Sequence, residues 1–185
     1  MKPDAAFKVE RTSFVVIIHP LPHVGGSTRR RLSLNNLNIR KAKRSDAEAI
    51  SHLVNELAHY FLADPSSDSV QSFLATLTPQ AMAERIGAPN FCYYVAEDSS
   101  GLRGVICLRD GSHLYHLFVK TGSHKQGLAR ALWNHAKLQS DASVFTVNSS
   151  LFAVPVYERL GFVATNTPQT QYGVTFVPML FNPVG

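Results

Sequence analysis

The chain's 185 residues are 45% hydrophobic and 17% charged, which excludes disordered and fibrous classes and suits one globular domain. A formal net charge of +5 and a pI near 9.4 fit an anionic ligand, nucleic acid, a membrane surface or plain surface solvation, and do not choose among them. Cys92 and Cys107 lie in apolar runs with no metal or redox spacing, which predicts buried thiols in a reducing compartment.

Residues 1–36 read as an extension. Their apolar block over 14–18 is too short for a signal-peptide core or a bilayer span, and Asp4 and Glu10 precede it, so the expected location is cytoplasmic. Pro20, Pro22, Gly25 and Gly26 then give a turn-rich stretch before Arg29, Arg30 and Arg31. An added strand, a flexible arm and a mis-chosen start codon are all compatible with it.

The main domain is expected over 37–185. A strand over 37–41 leads into Ser45-Asp-Ala-Glu48, a capping-box pattern, and a helix whose Ile50, Leu53, Val54, Leu57 and Phe61 recur at helical spacing. Asp64 and Pro65 break it, and two shorter helices follow over 70–77 and 79–86, with Pro79 suited to a first turn. Aromatic and β-branched runs over 91–97 and 102–108, split by Asp98-Ser-Ser-Gly101, predict an antiparallel hairpin, and 114–119 a third strand. A helix with Leu128, Ala131, Leu132 and Ala136 on one face, a strand over 143–147, a helix over 154–160 stopped by Gly161 and strands over 162–165 and 175–180 complete the chain. This order predicts an α/β fold, a mixed sheet with helices on both faces.

Between the third strand and the following helix runs Val119-Lys-Thr-Gly-Ser-His-Lys-Gln-Gly-Leu-Ala-Arg-Ala-Leu132. A strand feeding a glycine turn that opens a helix suits an anion, because the first helical amides lack internal partners and carry the positive end of the macrodipole. A tight connection with no ligand is the bland alternative. Gly122 and Gly127 have P-loop spacing, but Leu128 and Ala129 stand where Lys and Ser or Thr are needed, and no Gly-x-Gly-x-x-Gly is present.

His124-Lys-Gln-Gly-Leu-Ala129 resembles the pyrophosphate-binding loop of the GCN5-related N-acetyltransferases, the GNAT family, with His124 where Gln or Arg is usual. A second motif of the family falls in register downstream as Ala153, Tyr157, Gly161 and Phe162, with Ser150 in place of the common Asn. The resemblance covers 37 to the C-terminus and looks closest to small bacterial acetyltransferases. It implies a twisted mixed sheet splayed between the two central parallel strands, over 114–119 and 143–147. Acetyl-CoA would enter the splay as co-substrate. Its pantetheine would pair with Leu117, Phe118 and Val119, and its pyrophosphate would rest on the loop His124, Lys125, Gln126, Gly127, Leu128, Ala129 and Arg130. Ser150, Ala153 and Tyr157 are the remaining expected contacts. No metal is implied.

Acetyl transfer needs a free amine, a stabilised oxyanion and a proton for the departing thiolate. The resemblance implies a backbone amide of Phe118 or Val119 for the oxyanion and Tyr157 for the acid; a core aromatic is the plain reading of Tyr157. For the base, strand alternation places His113 and Tyr115 on one face and His116 on the other, and a histidine's ordinary pKa of about 6.5 suits proton removal. His113 is the first choice, with His116 and Tyr115 behind it, and a packing role is the alternative for each. His52 and His59 lack zinc-site spacing. The segment from Tyr60 to Asn90, with Glu56, Asp64, Asp68 and Glu84, is expected to wall the acceptor.

The leading expectation is an N-acetyltransferase acting on a small-molecule or peptide amine by direct attack in a ternary complex. A homodimer is left open, no membrane partner is expected, and nucleic acid is disfavoured. The runner-up is a non-catalytic GNAT-like module that senses CoA, or a basic module that binds nucleic acid through its N-terminal arm.

Overall fold

A computed structural model describes residues 36–58, 71, 74–124, 126–171 and 174–183. Residues 1–35, His59, Tyr60, Phe61, Asp64, Asp68, Lys125 and residues 70, 72 and 73 of the helix expected over 70–77 lie outside the described residues.

The first strand, β1 (Asn38–Lys41), is followed by a 3-10 turn (Arg44–Asp46) and helix α1 (Ala47–Ala58). The cap differs from the Ser45/Glu48 expectation. The Asp46 carboxylate accepts from the Lys43 backbone amide at 2.7 Å, so the turn starts two residues early and is closed by a shorter acid. Along α1, Ile50, Leu53, Val54 and Leu57 are all buried, as their spacing requires. Helix α2 (Pro79–Gly87) starts at Thr78, whose hydroxyl accepts from the Ala81 amide, with Pro79 in the first turn, where its missing N–H costs nothing.

Strands β2 (Phe91–Asp98) and β3 (Gly101–Arg109) form the expected hairpin, and β4 (His113–Val119) continues it antiparallel. Then come α3 (Leu128–Leu138), β5 (Phe145–Ser149), α4 (Val154–Leu160), β6 (Val163–Ala164), β7 (Gln169–Gln171) and β8 (Val174–Phe181). Among the described residues the strands form one mixed sheet in the order β1-β2-β3-β4-β5-β8-β6, with β7 pairing the start of β8. The short β7 had no sequence signal, since Gln169-Thr-Gln171 is polar throughout.

Two apolar layers hold the sheet. One joins Leu114, Leu117 and Val119 of β4 and Val147 of β5 to Leu128, Leu132, Trp133 and Ala136 of α3 and Tyr157 and Leu160 of α4. The other joins Tyr93, Val95, Val105 and Phe118 to α1 and α2. Both α3 and β4 crowd Gly104 of β3: a methyl there would sit 3.0 Å from both Leu132 Cδ1 and the Phe118 carbonyl oxygen. No helix among the described residues is long and apolar enough to cross a membrane.

Two features of β4 position the site. Its only register pair with parallel β5 is His113 with Thr146, beside a Thr146 amide donating to Ser112 oxygen. From there the strands part, leaving the Leu114–Val119 edge open while its other edge pairs with β3. The second feature is a bulge. Cys107 faces His116 and Leu108 faces Leu114, so Tyr115 is an extra residue in β4. The bulge overturns the simple alternation expected for this strand: His116 shares the α1/α2 face with Tyr115, where it packs against Tyr93 and Phe118.

Candidate active site

The loop after β4 turns through a 3-10 segment (Thr121–Ser123) and reaches Gly127, which has φ 82° and caps α3. That left-handed conformation is strained for other residues, which explains the glycine where the chain must aim its next amides together. Three side chains expected to touch the ligand are tied to the protein's own backbone. His124 Nε2 lies 2.8 Å from the Val119 carbonyl, Gln126 donates to Gly122 at 2.9 Å, and Arg130 donates to the Arg159 carbonyl at 2.7 Å. The loop is thereby braced at both ends while the first amides of α3 keep no helical partner. His124 supports the loop in the place where the family uses Gln or Arg.

Across the gap, β5 ends at Ser149 and a short turn leads into α4, whose C-terminus closes on Gly161 at φ 97°. The Phe162 amide donates back to the Tyr157 carbonyl, and the two rings meet edge-on at 5.4 Å, which holds the tyrosine's position. Tyr157 is 0% exposed, yet its hydroxyl has no hydrogen-bond partner among the described residues. The Ser150 and Ser123 hydroxyls are also buried and unpartnered. Buried hydroxyls are normally satisfied. Here three orphans come from the three segments that flank the gap: the loop after β4, the end of β5 and α4. That is the chemistry expected of a cradle for a polar chain bearing amides and phosphates, so coenzyme A fits the residues present. Burial pushes the Tyr157 hydroxyl well above its ordinary pKa, keeping its proton in place at neutral pH. Ser123 was not singled out in the sequence, where a serine in a turn carries no distinguishing signal.

The histidines divide. His113 sits at the closed end of the gap; its Nδ1 lies 2.8 Å from Thr146 Oγ1, and its Nε2 is buried without a partner. Burial first, and the Arg109 guanidinium second, lower its pKa to about 4. His116, 3% exposed, has Nδ1 3.1 Å from the Tyr93 hydroxyl. Burial and then Arg85 push it well below the ordinary value, so both rings are neutral at pH 7.

Arg85 and Arg109 are the cluster that sequence reasoning missed. Their guanidiniums lie 5.9 and 5.5 Å from the Tyr115 ring centre, both within cation–π range. Arg85 could have been noticed: it follows Met82 by three residues on the buried stripe of α2, an unusual place for a cation. Among the basic residues near the N-terminus, Arg40 is locked by Asp46 at 2.7 Å and Glu97 at 2.8 Å, which leaves it no role as an anion contact. Cys107 is buried with its thiol pushed up by burial, and Cys92 is half-buried; both are free thiols. Cys107 therefore lacks the lowered pKa of a nucleophile.

A family model described as an acetyltransferase (GNAT) domain matches residues 61–182. No curated protein matches the sequence. Among solved structures, a GCN5-related N-acetyltransferase from Rhodopseudomonas palustris is 18% identical with a TM-score of 0.61, covering 87% of this chain and 99% of its own. The PaiA N-acetyltransferase from Thermoplasma acidophilum, solved with coenzyme A, is 16% identical with a TM-score of 0.66 over 79% of this chain and 98% of its own. A spermidine N-acetyltransferase from Vibrio cholerae, solved with CoA and spermine, is 18% identical with a TM-score of 0.56 over 80% and 95%. At these identities the likeness shows a shared fold, and the family match carries the assignment: the chain belongs to the GNAT acetyltransferase family.

Proposed function

We propose that the domain over 37–185 transfers the acetyl group of acetyl-CoA to an amine by direct attack in a ternary complex, with residues 1–36 outside the catalytic unit. The observation that carries the reading is the Tyr157 hydroxyl, fully buried without a partner beside an open gap in the sheet. A structural tyrosine has no use for a desolvated, unsatisfied hydroxyl; a proton donor waiting for a sulfur does.

The open edge Leu117–Val119 accepts the pantetheine, and the amides after Gly127 take the pyrophosphate; Ser150 and Ser123 supply hydroxyl contacts. Lys125 is assigned to the same loop. The amine's lone pair attacks the thioester carbonyl carbon, and the oxygen's developing charge is met by a backbone amide of Phe118 or Val119. The C–N bond forms, the C–S bond breaks, and the departing sulfur takes the proton of Tyr157. The amine's proton goes to His116, which lies beside the bulge. With Nδ1–H donating to Tyr93, Nε2 holds the lone pair. His113, at the closed end and lowered to about pKa 4, orients β5 through Thr146.

The test is thermal stability with and without acetyl-CoA, followed by CoA release with an amine panel. At 100 times its Kd the co-substrate adds about 2.7 kcal/mol, a Tm rise of roughly 5–11 °C for a chain of this size. No Tm change at millimolar acetyl-CoA removes the proposal.

A further inference from the structure

We infer that the amine acceptor carries an anionic group, a carboxylate or a phosphate, received by Arg85 and Arg109 beside the bulge of β4; this rests on the acetyl-transfer reading above. Arg85 is 5% exposed. Its Nη2 donates to the Thr76 carbonyl, its Nη1 lies 3.5 Å from Met82 Sδ, and its Nε is buried with no partner. None of these is a charge. The ion pairs among the described residues join Arg40 to Asp46 and Glu97, Arg103 to Asp98 and Arg109 to Asp110. A buried guanidinium without a carboxylate is costly, and a ligand anion is the usual way that cost is offset at a functional site. Arg109 adds a second guanidinium on the same ring, 5.5 Å from the Tyr115 centre.

The placement suits substrate recognition. Both guanidiniums face the ring of Tyr115, the inserted residue of β4, and Tyr115 stacks against His116 at 4.4 Å. Tyr115 lies two residues before Leu117, where the strand segment assigned to the cofactor begins. Asn148, two residues along β5 from Thr146, lines a cavity of about 400 Å³ whose other polar residues are Thr165, Asn166, Gln169 and Gln171. That lining is neutral.

Binding of reaction products separates this inference from turnover. Calorimetry on the full chain compares N-acetylated amino acids with the corresponding amides, N-acetyl phosphoethanolamine with N-acetylethanolamine, and N-acetylspermine. The expected result is that at least one anionic member binds about tenfold or more tightly than its neutral counterpart, as loss of a charged hydrogen bond in a desolvated site implies. Whether the carboxylate or the phosphate pair shows the difference identifies the group. Arg85→Gln should erase the preference, and Arg109→Gln, at a more exposed position, should reduce it and serves if Arg85→Gln does not fold. Equal binding of acid and amide, absence of binding by every anionic member, or tighter binding of N-acetylspermine overturns the inference while leaving acetyl transfer intact. Acetyl-CoA failing to raise Tm while the anion preference persists overturns acetyl transfer instead.

Discussion

Replacing Tyr157 with Phe removes one oxygen from a fully buried site where it has no described partner. An unsatisfied buried hydroxyl costs about 1–3 kcal/mol, so deleting it without altering the ring should stabilise the free protein by a similar amount. For a chain of this length each kcal/mol moves Tm by about 2–4 °C, which sets the expected rise at about 2 °C or more. Loss of a positioned general acid slows the chemical step by about 10²–10⁴. The variant is therefore expected to melt higher and turn over more slowly, with acetyl-CoA affinity little changed. Calorimetry on the ligand-free protein and a thiol-detection assay of CoA release, run on both proteins, read the two effects. A lower Tm in the free variant shows that the hydroxyl is satisfied in the folded state and removes the argument from its isolation. An unchanged kcat removes Tyr157 as the proton donor whatever the Tm does.

Gly104→Ala should cost about 1–3 kcal/mol, because its methyl meets the Phe118 carbonyl at 3.0 Å and backbone cannot give way; a Tm equal to wild type refutes the close packing of α3 on β3. Arg40 holds the Asp46 and Glu97 carboxyls below their ordinary values, mainly through its hydrogen bonds to each. Carboxyls depressed in the folded state stabilise it above their ordinary values and lose that contribution as pH falls through the folded ones. Arg40→Ala should therefore melt lower at pH 7, with the gap to wild type closing as pH drops below 3.8; a pH-independent gap contradicts the linkage. His113 works in the opposite chemical sense with the same slope: neutral when folded to about pH 4 and protonated near 6.5 when unfolded, it takes stability away as pH falls from 6.5 toward 4. His113→Asn should flatten that limb in a Tm-versus-pH series. An NMR titration should also find the His113 pKa higher in Arg109→Gln, since Arg109 is the second cause of its depression.

Sequence alone determined the features that arise within a few residues of chain. The stripe Ile50, Leu53, Val54 and Leu57, the proline start of α2, the Asp98–Gly101 turn, the Gly127 loop and the Gly161 stop all follow from local periodicity and backbone preference, and the structure reproduces them. The family resemblance rested on two such local motifs. The acceptor side was decided by tertiary structure. Alternation along β4 placed His116 on the wrong face because a bulge depends on how two strands register, not on either strand alone. The neutral state of His113 and His116 is set by burial under elements far away in sequence, and Arg85 meets Tyr115 only because α2 packs on the sheet. Orphaned hydroxyls at Ser123, Ser150 and Tyr157 are likewise invisible in a string of letters, since being unpartnered is a property of everything around an atom. Short-range preferences are written residue by residue, whereas desolvation and charge balance are sums over neighbours that exist only once the chain has folded.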